Sequence, residues 1–258
     1  FPYTTLFRSE VGAREVSSMA ELYRAIWSQG PAGSIITLTT TQCTLGSAFC
    51  DLGSVAGSAA TFIQTVASKR TKSAFMPLLE FVTEVVNAYP AQRSAKDKDG
   101  AFHLCRAMDL TMVNHEKVSH MLDGFFAQHV IPELKSEHKF LRYRACDLVK
   151  AFDQNGMQWS NTATLEAAFR GVMECIGDTE LPVRVVAAEA IGSLIDHDEV
   201  HAAMAPNAAR LMQELLKLSD ETDLDILSPT KSKVVANFGD ELLPFSIQLT
   251  EQMAESYL

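Results

Sequence analysis

Residues 178–195, DTELPVRVVAAEAIGSLI, constrain the fold most, because the pattern they carry returns 42 positions upstream. Pro182 suits the first turn of a helix, where its missing N–H would be unpaired anyway. Glu180 suits the positive end of that helix. Val183, Ala187, Ala190, Ile191 and Leu194 then recur at helical spacing and form one apolar face. In residues 141–152, LRYRACDLVKAF, the residues Ala145, Cys146, Leu148, Val149 and Phe152 stand where Ala187, Ala188, Ala190, Ile191 and Leu194 stand later, and Arg142 aligns with Arg184. Ala187 and Ala188 are small, so a second helix can approach closely. The segments before each unit match as well. Leu165, Ala168, Phe169, Val172, Met173 and Ile176 form one helical stripe. Met121, Leu122, Phe125, Phe126 and Val130 form the stripe before it, and Leu211, Met212, Leu215 and Leu216 the one after.

A period near 42 residues with two helices per unit marks a solenoid of HEAT or armadillo type. Each pair buries one face against its neighbours, so no unit is stable alone. The expected fold is all-α, a HEAT-repeat α-solenoid whose antiparallel helix pairs wind as a right-handed superhelix. Second helices are expected to begin near 59, 98, 141, 183 and 225–230, the last marked by Pro229. Residues 73–88 read as a first helix with Pro77 tolerated in its first turn. Asp99 is a candidate cap for the helix over 98–113.

The array is expected to cover 59–258 in about five units and to be cut from a longer solenoid at both ends, since residues 240–257 open a unit that has no partner helix. Residues 1–58 form a poorly defined N-terminal segment. Within it, 1–9 read as foreign sequence, 15–28 as one short helix, and 30–58 as a loop rich in Thr, Ser and Gly.

Charge is placed unevenly. Residues 1–177 hold 17 acidic and 17 basic side chains, while 178–258 hold 15 acidic and 5 basic, so the whole net charge of −10 lies in the last third. That disfavours a nucleic-acid partner there and permits a basic protein partner; solvation of a surface face explains the same charges. No run of apolar residues is long enough to span a bilayer. Cys105, Cys146 and Cys175 fall within apolar helical patterns and read as buried reduced thiols; Cys43 and Cys50 complete the five.

No constellation supports catalysis or a cofactor. A metal site wants two histidines four apart on one helical face. None of His103, His115, His120, His129 and His138 is so spaced, and His115 and His120 are splayed by about 140°. No phosphate-binding glycine loop is present. The basic groups KRTK (69–72) and RSAKDK (93–98) are short and lie at helix ends. The turn DETDLD (220–225) is denser, with four carboxylates in six residues.

With these residues in view, the chain resembles the importin-β (karyopherin) family, most closely its importin-7-like branch. KDGAFH (98–103), HVIPELKSEHKFLRYRAC (129–146), DTELPVRVVAAEAI (178–191) and ELLPFSIQLTEQMAESYL (241–258) carry the resemblance, which covers about residues 59–258. Residues 1–58 depart from the pattern, since the family would have further helices there.

The resemblance implies a non-enzymatic nuclear transport receptor that shuttles between cytoplasm and nucleus. Such receptors hold basic cargo on the concave face, which second helices line. They meet Phe-Gly nucleoporins between first helices, and they bind the GTPase Ran through opening repeats that have no match here. Neither direct nucleic-acid binding nor membrane insertion is implied. The candidate cargo-contacting acidic surface comprises Asp147, Glu189, Asp196, Asp198, Glu199, Asp220, Glu221, Asp223 and Asp225. A HEAT scaffold of another class, such as a phosphatase regulatory subunit or a vesicle-coat adaptor, is the alternative.

Overall fold

The computed structural model describes residues 9–11, 14–16, 38–40, 55–222 and 225–246. It comprises two compact units, Phe1–Thr111 and Met112–Leu258.

The first unit contains a small antiparallel sheet. Strand β1 (Ser9–Val11) pairs with β2 (Arg14–Val16) on one side and β3 (Leu38–Thr40) on the other. Two expectations change here. Glu15 and Val16 belong to a strand rather than to the start of a helix, and 38–40 is a strand within the expected loop. Local chemistry accounts for the first: only Gly12 and Ala13 separate β1 from β2, the connection length of a hairpin, and a glycine suits such a connection. Residues 1–8 of the expected foreign segment, residues 17–28 of the expected helix, and Cys43 and Cys50 lie outside the described residues.

Helices of the first unit fall where the periodicity places them. α1 (Val55–Lys69) begins four positions earlier than expected and carries Lys69 in its last turn, where a cation is favoured. One π-type turn (Thr71–Phe75) leads into α2 (Met76–Ala88), which has Pro77 in its first turn and Val82, Val85 and Val86 buried. α3 (Ala95–Asn114) begins at 95 because Ser94 caps it. The Asp97 carboxylate accepts from the Ser94 N–H and hydroxyl, each at 2.9 Å, and the Asp97 N–H donates back to the Ser94 hydroxyl at 3.2 Å. This reciprocal box replaces the expected cap at Asp99. The hydrogen bond from the Ser94 N–H, then that from its hydroxyl, holds the Asp97 carboxyl below its ordinary range.

In the second unit some first helices are broken into short pieces, whereas the first helix Thr162–Cys175 and the second helices are continuous. Short α4 (Glu116–Ser119) and α5 (Leu122–Phe125) precede a π-type turn and the 3₁₀ turn Ile131–Lys135, which carries Pro132. α6 (Lys139–Gln154), α7 (Thr162–Cys175) and α8 (Leu181–Leu194) follow. α9 (Asp198–Met204) and α10 (Ala208–Thr222) are separated at Pro206, and α11 (Ser228–Asn237) leads to α12 (Gly239–Leu242) and a 3₁₀ turn, Leu243–Phe245, that carries Pro244. Proline lacks the donor an interior turn needs, and one stands in each of the 3₁₀ turns 131–135, 205–207 and 243–245, whereas the breaks at 120–121 and at Phe238 carry none. Residues 247–258 lie outside the described residues.

Packing in this unit is that of stacked pairs. α8 lies along α6 and touches α11, so second helices neighbour second helices. α7 packs against 131–135 on one side and α9 on the other, so first helices neighbour first helices. This is the stacking of a HEAT-type array. Ala145, Cys146, Ala187 and Ala188 are fully buried, as the close approach of α6 and α8 requires, and Phe169, Ile191 and Leu194 are buried as expected. Among the described residues no sheet lies beyond residue 58, and no helix is long and apolar enough to cross a membrane.

Candidate functional site

The polar counterpart of the apolar stripes is a ladder of ion pairs in the second unit. Lys135 meets Glu174 at 2.9 Å, Lys139 meets Glu180 at 3.2 Å, and Lys150 meets Glu189 at 3.1 Å. Arg184 meets Glu221 and Lys233 meets Asp196, both at 2.6 Å. Arg142 meets Asp178, and His197 Nε2 lies 2.7 Å from Asp153 Oδ1. Each pair joins residues 36 to 44 positions apart, so every one bridges two successive repeats.

The Arg142 node is the most complete. Its Nε and Nη2 donate to the two oxygens of Asp178 at 2.5 and 2.9 Å, while Nη1 donates to the carbonyls of Ser136 and Glu137. Asp178 also accepts from the Glu180 N–H at 2.9 Å. Burial pushes the Asp178 carboxyl up, but the Arg142 guanidinium and the Glu180 N–H outweigh it and leave it below the ordinary range. The pairing with Asp178 raises the Arg142 guanidinium in turn. Lys150 is similar: burial lowers its ammonium, and Asp147 and Glu189 together raise it further than that. At Asp153 one carboxylate oxygen takes both His197 and the Trp159 indole N–H, the latter at 2.8 Å.

This ladder redraws the acidic surface. Asp147 is not on it: its side chain is 4% exposed and faces Arg144 at 3.4 Å and Lys150 at 3.7 Å. The polar position that suggested an open concave face is a buried contact inside the second-helix layer. Glu189 is half-buried against Lys150, and Asp196 and Glu221, though exposed, are held by Lys233 and Arg184. Asp198 and Glu199 in the first turn of α9, and Asp220 near the end of α10, are exposed and make no ion pair with described residues. Asp223 lies outside the described residues. Asp225 opens a 3₁₀ turn, Asp225–Leu227. Among the members of the set whose side chains are described, Asp198, Glu199 and Asp220 are the open carboxylates.

The basic groups divide the same way. Lys69, Arg70 and Lys72 are exposed. In 93–98, Arg93 pairs with Glu84 at 2.9 Å, and Lys98 is buried with its ammonium 4.6 Å above the Tyr89 ring. Cys105, Cys146 and Cys175 are buried free thiols. Burial pushes the Cys105 thiol up to about 12 and the Cys146 thiol well above its ordinary value, the opposite of what a nucleophile needs. Among the described residues no group of three His, Cys, Asp or Glu gathers as a metal site would require.

The ladder was missed in the sequence although its signal was present. Lys139, Arg142 and Lys150 stand about one repeat before Glu180, Asp178 and Glu189, so the charges carry the same period as the apolar stripes.

Importin-8 of Homo sapiens is 28% identical over 211 residues, covering 81% of this chain and 20% of that protein. The probable importin-7 homolog of Dictyostelium discoideum is 24% identical over 202 residues, covering 76% of this chain and 19% of its own length. Nonsense-mediated mRNA decay protein 5 of Saccharomyces cerevisiae is 24% identical over 209 residues, covering 78% and 20%. The chain thus spans about a fifth of the length of the curated relatives it matches. No family model matches the chain, and no solved structure matches it.

Proposed function

Starting from a chain whose relatives mark it as an importin-β family segment, we propose that it is part of a nuclear transport receptor that carries basic protein cargo through the nuclear pore. The observation that carries this reading is similarity to importins over about four fifths of the chain, beside a fold of stacked helix pairs. Shuttling between cytoplasm and nucleus, contact with Phe-Gly nucleoporins, and Ran binding through other parts of a longer protein belong to the same proposal. It is a binding function without catalysis.

Cargo docking is assigned to the acidic last third, and within it to the carboxylates that the ladder leaves open: Asp198, Glu199 and Asp220. A basic partner is drawn by the field of the whole region, and open rim charges act mainly on association rate. The paired acids hold the repeats in the register that presents this surface.

The test is binding of a lysine-rich nuclear protein, with a Phe-Gly repeat peptide measured in parallel. Asp198→Asn, Glu199→Gln and Asp220→Asn together should slow association by about tenfold at low salt and less at physiological salt. Unchanged association and unchanged salt dependence would remove these residues from the cargo surface. Failure of the parent to bind either probe would count against the transport reading itself.

A further inference from the structure

The start of α11 carries a motif that the transport reading does not use: Leu227-Ser228-Pro229-Thr230-Lys231, in which Leu227 closes the preceding 3₁₀ turn and Ser228 opens the helix. Ser228–Pro229 is the one place in the 258 residues where serine or threonine precedes proline, and a lysine stands three positions after that serine. The fold sorts these five residues into two sets. Leu227 and Thr230 are buried, Thr230 against Gly192 of α8. Ser228 and Lys231 are half-exposed, and Pro229 is exposed.

We propose that Ser228 is a phosphate-acceptor site for a proline-directed serine kinase that also reads a basic residue at the third position after the serine. The three residues such an enzyme reads are the three that reach solvent, and the two it ignores are the anchors. Proline after the serine is selective because it alone offers no N–H, so a kinase surface that leaves that donor unmatched favours it. Ser228 opens the ten-residue α11, and a local opening that withdraws Leu227 and Thr230 from their buried places lets the segment extend into a kinase cleft.

The step transfers the γ-phosphoryl group of Mg-ATP. The Ser228 Oγ–P bond forms, the bond from the γ-phosphorus to the bridging oxygen of ADP breaks, and the hydroxyl proton passes to the base of the kinase. The product carries about 1.5 to 2 negative charges and three acceptor oxygens. They sit at the positive end of α11 and three residues from Lys231, whose ammonium now donates to the Ser219 hydroxyl at 2.9 Å. Drawing Lys231 to the phosphate exchanges that link between α10 and α11. The added charge also lies beside the acidic turn, so phosphorylation should speed the capture of basic cargo. That last consequence rests on the cargo reading above, whereas the acceptor site does not.

The experiment treats the folded full chain with a cyclin-dependent kinase and Mg-ATP, then maps the phosphate by mass spectrometry. One phosphate on Ser228 is expected. It should be absent in Ser228→Ala, retained at residue 228 in Ser228→Thr, and gained about tenfold more slowly in Lys231→Ala, the worth of one charge-assisted contact. A chain that takes no phosphate, or takes it elsewhere, overturns the proposal. Association of polylysine with the two forms is then compared. Faster capture by the phosphorylated chain supports the coupling. If neither form binds polylysine, the cargo reading fails while a mapped phosphate on Ser228 leaves the acceptor site standing.

Discussion

Arg142 and Arg184 hold equivalent places 42 residues apart, yet they close their repeat junctions differently. Arg142 grips Asp178 through both nitrogens of its fork and adds two carbonyls, with side chains 17% and 8% exposed. Arg184 reaches Glu221 through one nitrogen, with side chains 21% and 35% exposed. Its Nε is buried without a hydrogen-bond partner among the described residues. The residue 42 positions after Asp178 is Asp220, which points to solvent while its neighbour Glu221 takes the arginine. Repetition has therefore copied the helices and the arginine but not the fork. The first junction is closed; the second is fastened at one point, beside the turn that carries the open acidic charge.

The widest gap between the two should appear on removing the acid. Asp178→Asn leaves a largely buried guanidinium without its counter-charge and should cost about 2–4 kcal/mol, read as a fall in melting temperature. Glu221→Gln should lower the melting temperature far less, because water already solvates that pair. Equal losses in the two variants would mean that the junctions are equivalent. The sign with pH follows from the depressed Asp178 carboxyl. A carboxyl whose folded value lies below its unfolded value contributes stability above the unfolded range, and loses it as pH falls through the folded value. The difference between parent and Asp178→Asn should be full at neutral pH and should shrink only below about pH 4. Were it to shrink between pH 7 and 5, another group would be responsible.

Next in size is a contrast between two glycines. A Cβ on Gly171 of α7 would lie 2.5 Å from Leu134 Cδ1 and 3.1 Å from Leu134 Cβ; Leu134 is buried, but its longer chain has a second torsion by which the near end can give. A Cβ on Gly192 of α8 would meet Thr230 at Oγ1, Cγ2 and Cβ, between 2.6 and 3.2 Å. Thr230 is buried and β-branched, so its single stiff torsion leaves it no way out. Gly192→Ala should destabilise by about 1–3 kcal/mol, the usual cost of overpacking, and Gly171→Ala by less. A larger loss at Gly171 would show that the packing against 131–135 is the more rigid contact.

The helices were legible in the sequence because burial writes a period into apolar residues, and that period survives single exceptions. α6 and α8 start at 139 and 181, against expectations of 141 and 183. Breaks at Pro132, Pro206 and Pro244 were less visible, because a proline can sit either in a first turn, as Pro77 and Pro182 do, or inside a first helix that it splits. The candidate surface was legible only as composition. Asp147 and Glu189 hold polar positions on their helical wheels, and a wheel shows neither burial nor a partner. Glu189 takes Lys150 of the preceding repeat, while Asp147 is buried against Arg144 and Lys150 of its own helix, so neither is open as the wheel suggests. The Ser94–Asp97 cap is a different case: its signature stands at the right spacing in the sequence, but an expected helix start at 98 points to Asp99 instead.

The smallest expected effect is in salt. Exposed charges are screened over about 8 Å at 0.15 M and about 3 Å at 1 M, whereas a pair held in a dry fork is screened far less. Arg184→Gln should speed amide hydrogen exchange at the end of α10 and the start of α8 in dilute buffer, and that difference from the parent should vanish in 1 M salt. Arg142→Gln should speed exchange around 136–142 and 178–181 at both salt concentrations, because it removes two carbonyl contacts and a bidentate pair that salt does not reach. The comparison is sharp because both variants make the same truncation and remove one charge. If high salt erased both differences, the Arg142 node would be as open to ions as its copy. The distinction between a closed and a single-point junction would then reduce to one of contact geometry. If salt erased neither, Arg184 would be held by more than Glu221, and a further acceptor for its Nε would have to be sought in the turn 220–225.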